Sequence, residues 1–191
     1  MLKLERIINK GGRRLCLYHP EDSGKCVKVA MNYKHEWQLQ NELDAYRKTK
    51  HLLKDFLPEY ETELVPTNLG PGLVCELITD EDGTPSRWLH DYIGKEGGIT
   101  PEMIEQLREY ADIIISNIIP FYDPNTCNFL VQNKGGKRRI VFTDMKSYDD
   151  YKPWSYLRLE KVIPAIKKHI IRKRMNVLFQ KLGVSMEKEK S

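Results

Sequence analysis

Apolar and polar residues alternate along the first part of the chain in the manner of β-strands. In residues 25–31, apolar side chains recur at every second position, and Lys28 lies on the opposite side of the extended chain. Residues 13–18 form a similar run, and the intervening residues 19–24 contain the turn formers Pro, Asp, Ser and Gly. The pattern predicts a β-hairpin.

A change to helical periodicity follows. Residues 33–54 contain neither Gly nor Pro, and their apolar residues fall on one stripe of a helix of about five turns. This stripe consists of Leu39, Leu43, Tyr46 and Leu53. Residues 60–68 and 72–78 then predict two more strands, and the Gly-Pro-Gly at residues 70–72 predicts the turn between them.

The next segment is rich in turn formers and predicts a hinge with a short connecting piece at residues 79–100. Thr100 is suited to cap a helix that has Pro101 as its first residue and that ends by Pro120. The apolar stripe of this helix consists of Met103, Leu107, Ala111, Ile114 and Ile118. The sequence therefore predicts a second long helix after the hinge.

The last third of the chain predicts a hairpin and a helix. Residues 129–132 and 138–143 are strand-like and flank the turn sequence NKGGK. Residues 154–182 have helical character, with a kink or break expected at Pro164.

Together these elements predict an α+β protein with two lobes. A strand-rich N-lobe is expected in residues 1–80, and a reduced, helix-rich C-lobe in residues 81–191. The junction of two such lobes is the natural place for a ligand.

The amino-acid composition limits the classes of protein to which this chain can belong. Hydrophobic residues make up 40% and charged residues 30%, which is typical of a globular protein and excludes disorder and fibrous repeats. We expect no membrane span, because no apolar run approaches the roughly 20 residues that one needs. The N-terminus has charges where a signal peptide would be apolar, so a cytoplasmic location is expected. The four cysteines include no C-x-x-C pair, which favours reduced thiols over zinc.

The net charge of +4 implies no partner by itself, but its distribution is uneven. Residues 161–174 contain six Lys or Arg and no acidic residue. This basic segment can be a solvated helix face, or it can hold nucleic acid, an acidic lipid surface or a protein partner.

Lys28 is the first residue whose chemistry requires an explanation. A lysine among small residues on a strand can simply face solvent at a sheet edge, or it can direct a fixed ammonium group at phosphate oxygens in a cleft. A fixed lysine needs an anion to hold its flexible side chain. Glu42, on the predicted helix, is one candidate for that anion, and Glu36 is the other.

Three polar residues in the second half could complete a phosphate site. Asp123 and Asn128 have the Asp-x4-Asn spacing of the protein-kinase catalytic loop, although Asp-Pro-Asn is also a common turn. Asp144 follows an apolar strand, where it can hold a metal ion or begin a turn.

The order of these features along the chain is that of a kinase-type phosphotransferase. Gly11 and Gly12 precede the first hairpin and could place backbone N–H groups near phosphates, although Arg13 and Arg14 stand where a later glycine is usual. Residues 74–77, which include Cys75 and Glu76, would supply the hinge backbone that binds adenine.

The sequence also resembles the YrbL proteins of the bacterial PhoP regulatory network, across residues 8–146. The matching stretches are GGRRLCLYHPEDSGKCVKV, NELDAY, GPGLVCELITDEDGTPS and the Asp-x4-Asn segment with its following strands. The resemblance implies a compact, protein-kinase-like fold in a magnesium- and acid-responsive regulon, and no demonstrated reaction.

By position, the kinase pattern implies a role for each of five residues. Lys28 resembles the phosphate-binding lysine, Glu42 its ion-pair partner and Asp123 the catalytic acid, while Asn128 and Asp144 resemble ligands of Mg²⁺.

The chain departs from the kinase pattern in three places. Phe121 and Tyr122 replace the His-Arg before the catalytic Asp, and Met145 and Lys146 replace the Phe-Gly after the metal-binding Asp. The segment after Asp144 is also short for a protein-substrate platform. A small-molecule acceptor, or nucleotide binding without turnover, is therefore favoured over a protein-kinase role.

Two functions follow from this sequence. The first is a kinase-like protein that binds ATP and Mg²⁺ and transfers a phosphoryl group to a hydroxyl of an unknown small-molecule or protein acceptor. The alternative is a catalytically inactive regulatory module that binds a protein or nucleic-acid partner through its basic C-terminal helix, with nucleic acid the less favoured partner.

Overall fold

A five-stranded antiparallel sheet forms the first half of the protein in the computed structural model, which describes residues 1–145 and 163–187. The strand order is β1-β2-β3-β5-β4. The strands are β1 (Ile7–Lys10), β2 (Arg14–Tyr18), β3 (Lys25–Ala30), β4 (Val65–Thr67) and β5 (Gly70–Glu76). The predicted hairpin is confirmed as β2 and β3, which pair from Arg14 opposite Ala30 to Tyr18 opposite Cys26. The sequence patterns did not predict β1, which is half exposed and pairs with β2.

Helix α1 (Trp37–Leu53) packs on one face of this sheet through the predicted stripe, all of which is buried. It starts later than expected, because residues 33–35 form a 3-10 turn that the side chain of Asn32 caps. A second 3-10 turn, Lys54–Phe56, follows the helix and contacts the second half of the chain.

The predicted turn at residues 70–72 is wrong. Gly70 pairs with Thr67, and Gly72 pairs with Val65, so both glycines lie within the ladder of β4 and β5. The turn consists of residues 68 and 69. Gly70 has a φ of 102°, which suits glycine at the start of the returning strand. Residues 60–64 are not part of β4, although Tyr60 forms an isolated bridge to Cys75.

A three-stranded antiparallel sheet, in the order β6-β7-β8, organises the second half. The strands are β6 (Arg87–Trp88), β7 (Phe129–Lys134) and β8 (Lys137–Phe142). The predicted second hairpin is confirmed as β7 and β8. Gly135 and Gly136 form its turn with φ values of 58° and 70°, as a two-residue hairpin requires.

Helices α2 (Leu89–Glu96) and α3 (Pro101–Ser116) complete this half. The segment predicted as a connecting piece therefore contains β6 and α2, which were missed because both are short. The predicted cap of α3 is confirmed, since the Thr100 side chain accepts a hydrogen bond from the Met103 N–H at 3.4 Å. The helix ends at Ser116, before Ile118, which has a φ of 55° and lies outside it.

Helix α4 (Pro164–Lys181) has Pro164 as its first residue, so the proline starts the helix and does not kink it. The earlier part of the predicted helix, residues 154–162, lies outside the described residues. The buried face of α4 contacts α3 and consists of Ile171, Met175, Leu178 and Phe179. Throughout the described ranges, we find no helix with both the length and the apolar character that a bilayer crossing requires.

One hydrophobic core runs through both halves, from Cys26 on β3 to Phe179 on α4. In the second half, Tyr110 lies within 6.3 Å, centre to centre, of the rings of Phe121, Phe129 and Phe142. A smaller cluster on the other face of the first sheet is covered by Leu4. The α+β class is confirmed, and the shared core holds β3, α1 and the end of β8 close together.

Candidate functional site

Lys28 lies in the middle of β3, opposite Cys16 on β2 and Leu73 on β5. Its side chain is 13% exposed and points toward α1. The ammonium group donates hydrogen bonds to Glu42 Oε1 at 2.6 Å, to the Tyr60 hydroxyl at 3.1 Å and to the Thr143 carbonyl at 2.7 Å. The solvent-facing alternative for Lys28 is therefore wrong.

Glu42 of α1 is the anion that holds Lys28. Its side chain is 1% exposed, and Oε1 also accepts a hydrogen bond from the Tyr60 hydroxyl at 2.7 Å. Oε2 accepts from a guanidinium nitrogen of Arg14. Glu36, the competing candidate, lies beside Gly70. Glu42 lies three residues after Leu39 and four before Tyr46 on α1, so it shares their buried face and turns its carboxylate toward the sheet.

Arg14, the first residue of β2, joins three segments of the chain. One of its guanidinium nitrogens pairs with Glu42, and the other pairs with Asp144 at 2.5 Å. The Arg14 side chain is 21% exposed and that of Asp144 is 18% exposed. Arg14 therefore fills the space between α1 and the end of β8.

These contacts determine the protonation states of Lys28, Arg14 and Tyr60. Burial opposes the charge of Lys28, but Glu42, together with Tyr60 and Cys75, outweighs it and raises the pKa of Lys28 well above its usual value. Burial also opposes the charge of Arg14, and Glu42 with Asp144 raises its pKa. Burial, followed by the charge of Glu42, raises the pKa of the Tyr60 hydroxyl. The cluster thus contains two fixed cations and a neutral phenol.

A backbone hydrogen bond places the Asp-x4-Asn segment next to this cluster. The Thr143 N–H donates to the Asn128 carbonyl at 2.9 Å, which places Asn128 beside the residue that precedes Asp144. The Asn128 side chain donates to the Asp123 carbonyl at 3.1 Å. The Asp123 side chain is exposed. The structure therefore brings Asn128 and Asp144 together at the ends of β7 and β8.

The predicted nucleotide contacts are arranged differently. Gly11 and Gly12 form the exposed turn between β1 and β2, where the Gly11 N–H donates to the Arg14 carbonyl at 2.8 Å. The N–H groups of Glu76 and Leu77 donate to backbone carbonyls at 2.7 and 2.8 Å. The Cys75 thiol is buried against Cys26, with 3.4 Å between the sulfurs. These hinge donors are thus already engaged within the protein.

Comparison with known proteins identifies the family. The family model described as "PhoP regulatory network protein YrbL" matches residues 1–183. The chain belongs to the YrbL family. It is similar to proteins named "Uncharacterized protein YrbL" in Escherichia coli (strain K12) and Shigella flexneri, each 33% identical over 106 residues. The match covers 53% of this chain and 49% of each relative, so the chain spans about half the length of these YrbL proteins.

Sequence reasoning missed two members of the side-chain cluster around Lys28, namely Arg14 and Tyr60. Strand alternation carries a signal for Arg14, since Arg14 and Cys16 share a face of β2 and Cys16 lies opposite Lys28. No comparable signal marks Tyr60, which reaches Glu42 through the fold of a loop. Lys146, one of the departures from the kinase pattern, lies outside the described residues.

The carboxylates of the cluster are used for ion pairing. Within residues 1–145 and 163–187, no group of three or more His, Cys, Asp or Glu side chains is placed to hold a metal ion. Oxygen donors from Asn128 and Asp144 suit Mg²⁺, but in this structure the Asp144 carboxylate is paired with Arg14.

Proposed function

We propose that this YrbL-family protein is a kinase-like, two-lobed nucleotide-binding protein. It acts in the PhoP regulatory network, in the cytoplasm, and transfers the γ-phosphoryl group of ATP to a hydroxyl group. The family description supports the network, and the geometry around Lys28 supports the nucleotide chemistry.

The observation that carries this proposal is the buried pair of Lys28 and Glu42 beside Asp144. Lys28 lies 115 residues from Thr143 in the sequence, yet its ammonium group donates to the Thr143 carbonyl at 2.7 Å. A lysine fixed by a helix glutamate, next to an aspartate that ends a strand, is the arrangement that kinases use to position ATP phosphates. Burying Lys28 and Glu42 for packing alone would be costly compared with apolar residues of the same size.

Asn128 and Asp144 would hold the magnesium ion. Carboxylate and amide oxygens are the donors that this hard cation prefers, so the residues fit it once Arg14 has left Asp144. A bound Mg²⁺ would neutralise phosphate charge. Adenine would have to bind without the N–H groups of Glu76 and Leu77, or displace their present partners.

Asp123 would act as the general base for the acceptor hydroxyl group. The hydroxyl oxygen attacks the γ-phosphorus, the bond from that phosphorus to the β-phosphate oxygen breaks, and ADP leaves. The exposed Asp123 carboxylate takes the hydroxyl proton. Lys28 stabilises the phosphate oxygens through charge, which is the main source of catalysis in phosphoryl transfer.

ATP binding is the first test. At about 100 times its dissociation constant, a ligand stabilises the folded protein by about 2.7 kcal/mol. We expect thermal unfolding with ATP and MgCl₂ to shift upward for the wild type and for Lys25→Met. Lys25, on the same strand, has a side chain that is 38% exposed and pairs with Glu61, so it serves as the control. Lys28→Met should lose the shift, and Lys28→Arg should retain part of it.

Turnover is tested separately with γ-labelled ATP. Asp123→Asn should abolish phosphate transfer and release while leaving the ATP-dependent thermal shift unchanged, because Asp123 is outside the Lys28 cluster. Nucleotide binding is excluded if neither the wild type nor the Arg14→Gln variant considered below is stabilised by ATP, with or without magnesium.

The second candidate function is a catalytically inactive module that binds a partner through α4. The exposed side of this helix carries Lys168, His169, Arg172 and Lys173. No acidic residue interrupts the helix sequence. The inactive module is favoured if ATP raises the temperature of thermal unfolding but no turnover is seen, and if the protein is retained on nucleic acid or an acidic protein in a salt-sensitive way. Retention should be lost on neutralising Lys167, Lys168, Arg172 and Lys173.

A further inference from the structure

Arg14 occupies the position where a metal–nucleotide complex would need space. It follows the Gly11–Gly12 turn on β2, and its guanidinium reaches Glu42 on α1 and Asp144 after β8. These partners lie 28 and 130 residues away in the sequence. Arg14 is therefore the side chain that connects the glycine turn to both predicted phosphate-site elements.

The charges of the cluster balance while Arg14 is in place. Lys28 and Arg14 contribute two positive charges, and Glu42 and Asp144 contribute two negative charges. A magnesium ion at Asp144 would bring a further two positive charges next to the guanidinium. In a site that is mostly shielded from water, such like charges repel strongly. The metal and the Arg14 guanidinium thus compete for the Asp144 carboxylate.

The glycine turn before Arg14 faces solvent, so the Arg14 side chain has open space beside it. A Cβ atom placed on Gly12 would meet no atom within 4 Å, and both glycines are exposed. Displacement of Arg14 by a magnesium nucleotide therefore moves the guanidinium away from both carboxylates and into solvent.

We propose that Arg14 is a latch that competes with magnesium nucleotide for Glu42 and Asp144. This inference rests on the proposed nucleotide-binding function and adds its regulation. Only the molecules in which Arg14 has left Asp144 can bind nucleotide. The apparent affinity for nucleotide is therefore reduced in proportion to the fraction of such molecules.

The test compares Arg14→Gln with Arg13→Gln, an exposed arginine on the same turn. Isothermal titration with ATP is carried out once with MgCl₂ and once with EDTA. We expect Arg14→Gln to bind magnesium ATP at least tenfold more tightly than the wild type, and to gain much less affinity in EDTA. Arg13→Gln should match the wild type in both conditions.

A double variant separates the latch from a general loosening of the site. Arg14→Gln with Asp144→Asn removes both ends of one ion pair and restores the charge balance. It should lose the magnesium-dependent gain. A gain that persists in this double variant would show that Arg14 does not act through metal binding at Asp144, and would overturn the latch.

A measurement on the wild type covers the case in which Arg14→Gln does not fold. Exchange of the Arg14 guanidinium protons with water, followed by NMR, should become faster when magnesium ATP binds, because the guanidinium is released from Glu42 and from Asp144. Unchanged or slower exchange there would contradict the latch.

The remaining outcomes distinguish the two levels of the proposal. Equal affinity of the wild type and Arg14→Gln for magnesium ATP overturns the latch alone. Weaker binding by Arg14→Gln also overturns it, and would make Arg14 a phosphate ligand. If no form of the protein binds ATP, the proposed function fails and the latch fails with it.

Discussion

Replacing Glu42 with glutamine tests how much the buried cluster contributes to stability. The substitution keeps the size of the side chain but removes the charge that faces Lys28 and Arg14. Loss of one partner of a buried ion pair costs about 3–5 kcal/mol, because it leaves an uncompensated charge. Lys28 is 13% exposed and Arg14 is 21% exposed, and each keeps another partner, which favours the low end of this range. We expect Glu42→Gln to lower the free energy of unfolding by about 3 kcal/mol.

Guanidinium denaturation at neutral pH measures this loss, and thermal unfolding gives an independent reading. For a domain of this size, about 3 kcal/mol corresponds to a fall in Tm of roughly 6–12 °C. Asp44→Asn is the matched control on the same helix, because the Asp44 side chain is 41% exposed, against 1% for Glu42, and pairs with Arg47 one turn away. An exposed pair of this kind contributes about 0.5 kcal/mol or less. If Glu42→Gln cost no more than Asp44→Asn, the cluster would not be desolvated and the case for a fixed Lys28 would be lost.

Two further predictions concern the pH profile and the first sheet. Burial and a 2.8 Å hydrogen bond to Glu59 raise the pKa of Tyr46 to about 12, above its usual value of 10. Its contribution to stability is therefore complete below pH 10 and declines as the pH rises through 10 to 12, so Tyr46→Phe should flatten this decline in denaturation series. A Cβ on Gly72 would lie 2.7 Å from Val27 Cγ1, so Gly72→Ala should cost about 1–3 kcal/mol, whereas Gly12→Ala, in open space, should change unfolding little. Equal effects of the two alanines would refute this packing.

Local patterns determined most of the secondary structure. The alternation around Lys28, the turn formers before it and the two glycines at 135–136 were sufficient for both hairpins, because each depends on contacts between neighbouring residues. The Thr100–Pro101 start of α3 was predictable for the same reason.

Wrong predictions arose where the pairing of strands overrode local preference. Gly70–Pro71–Gly72 has the composition of a turn, but its residues pair with β4 because the ladder extends to Thr67. Pro71 is tolerated at this position because its partner, Pro66, lies on β4, a short strand at the edge of the sheet. Strand β6 and helix α2 were missed, since each is too short to show a clear period.

By itself, the sequence determined the α+β class and the family resemblance, and it marked Lys28, Glu42 and Asp144 as candidate site residues. Only the tertiary structure decided which partners they have. It chose Glu42 over Glu36, and it placed Arg14 between Glu42 and Asp144. The physical reason is that a charge excluded from water must find its counter-charge in space, and spatial neighbours that lie up to 130 residues apart leave no mark on local periodicity.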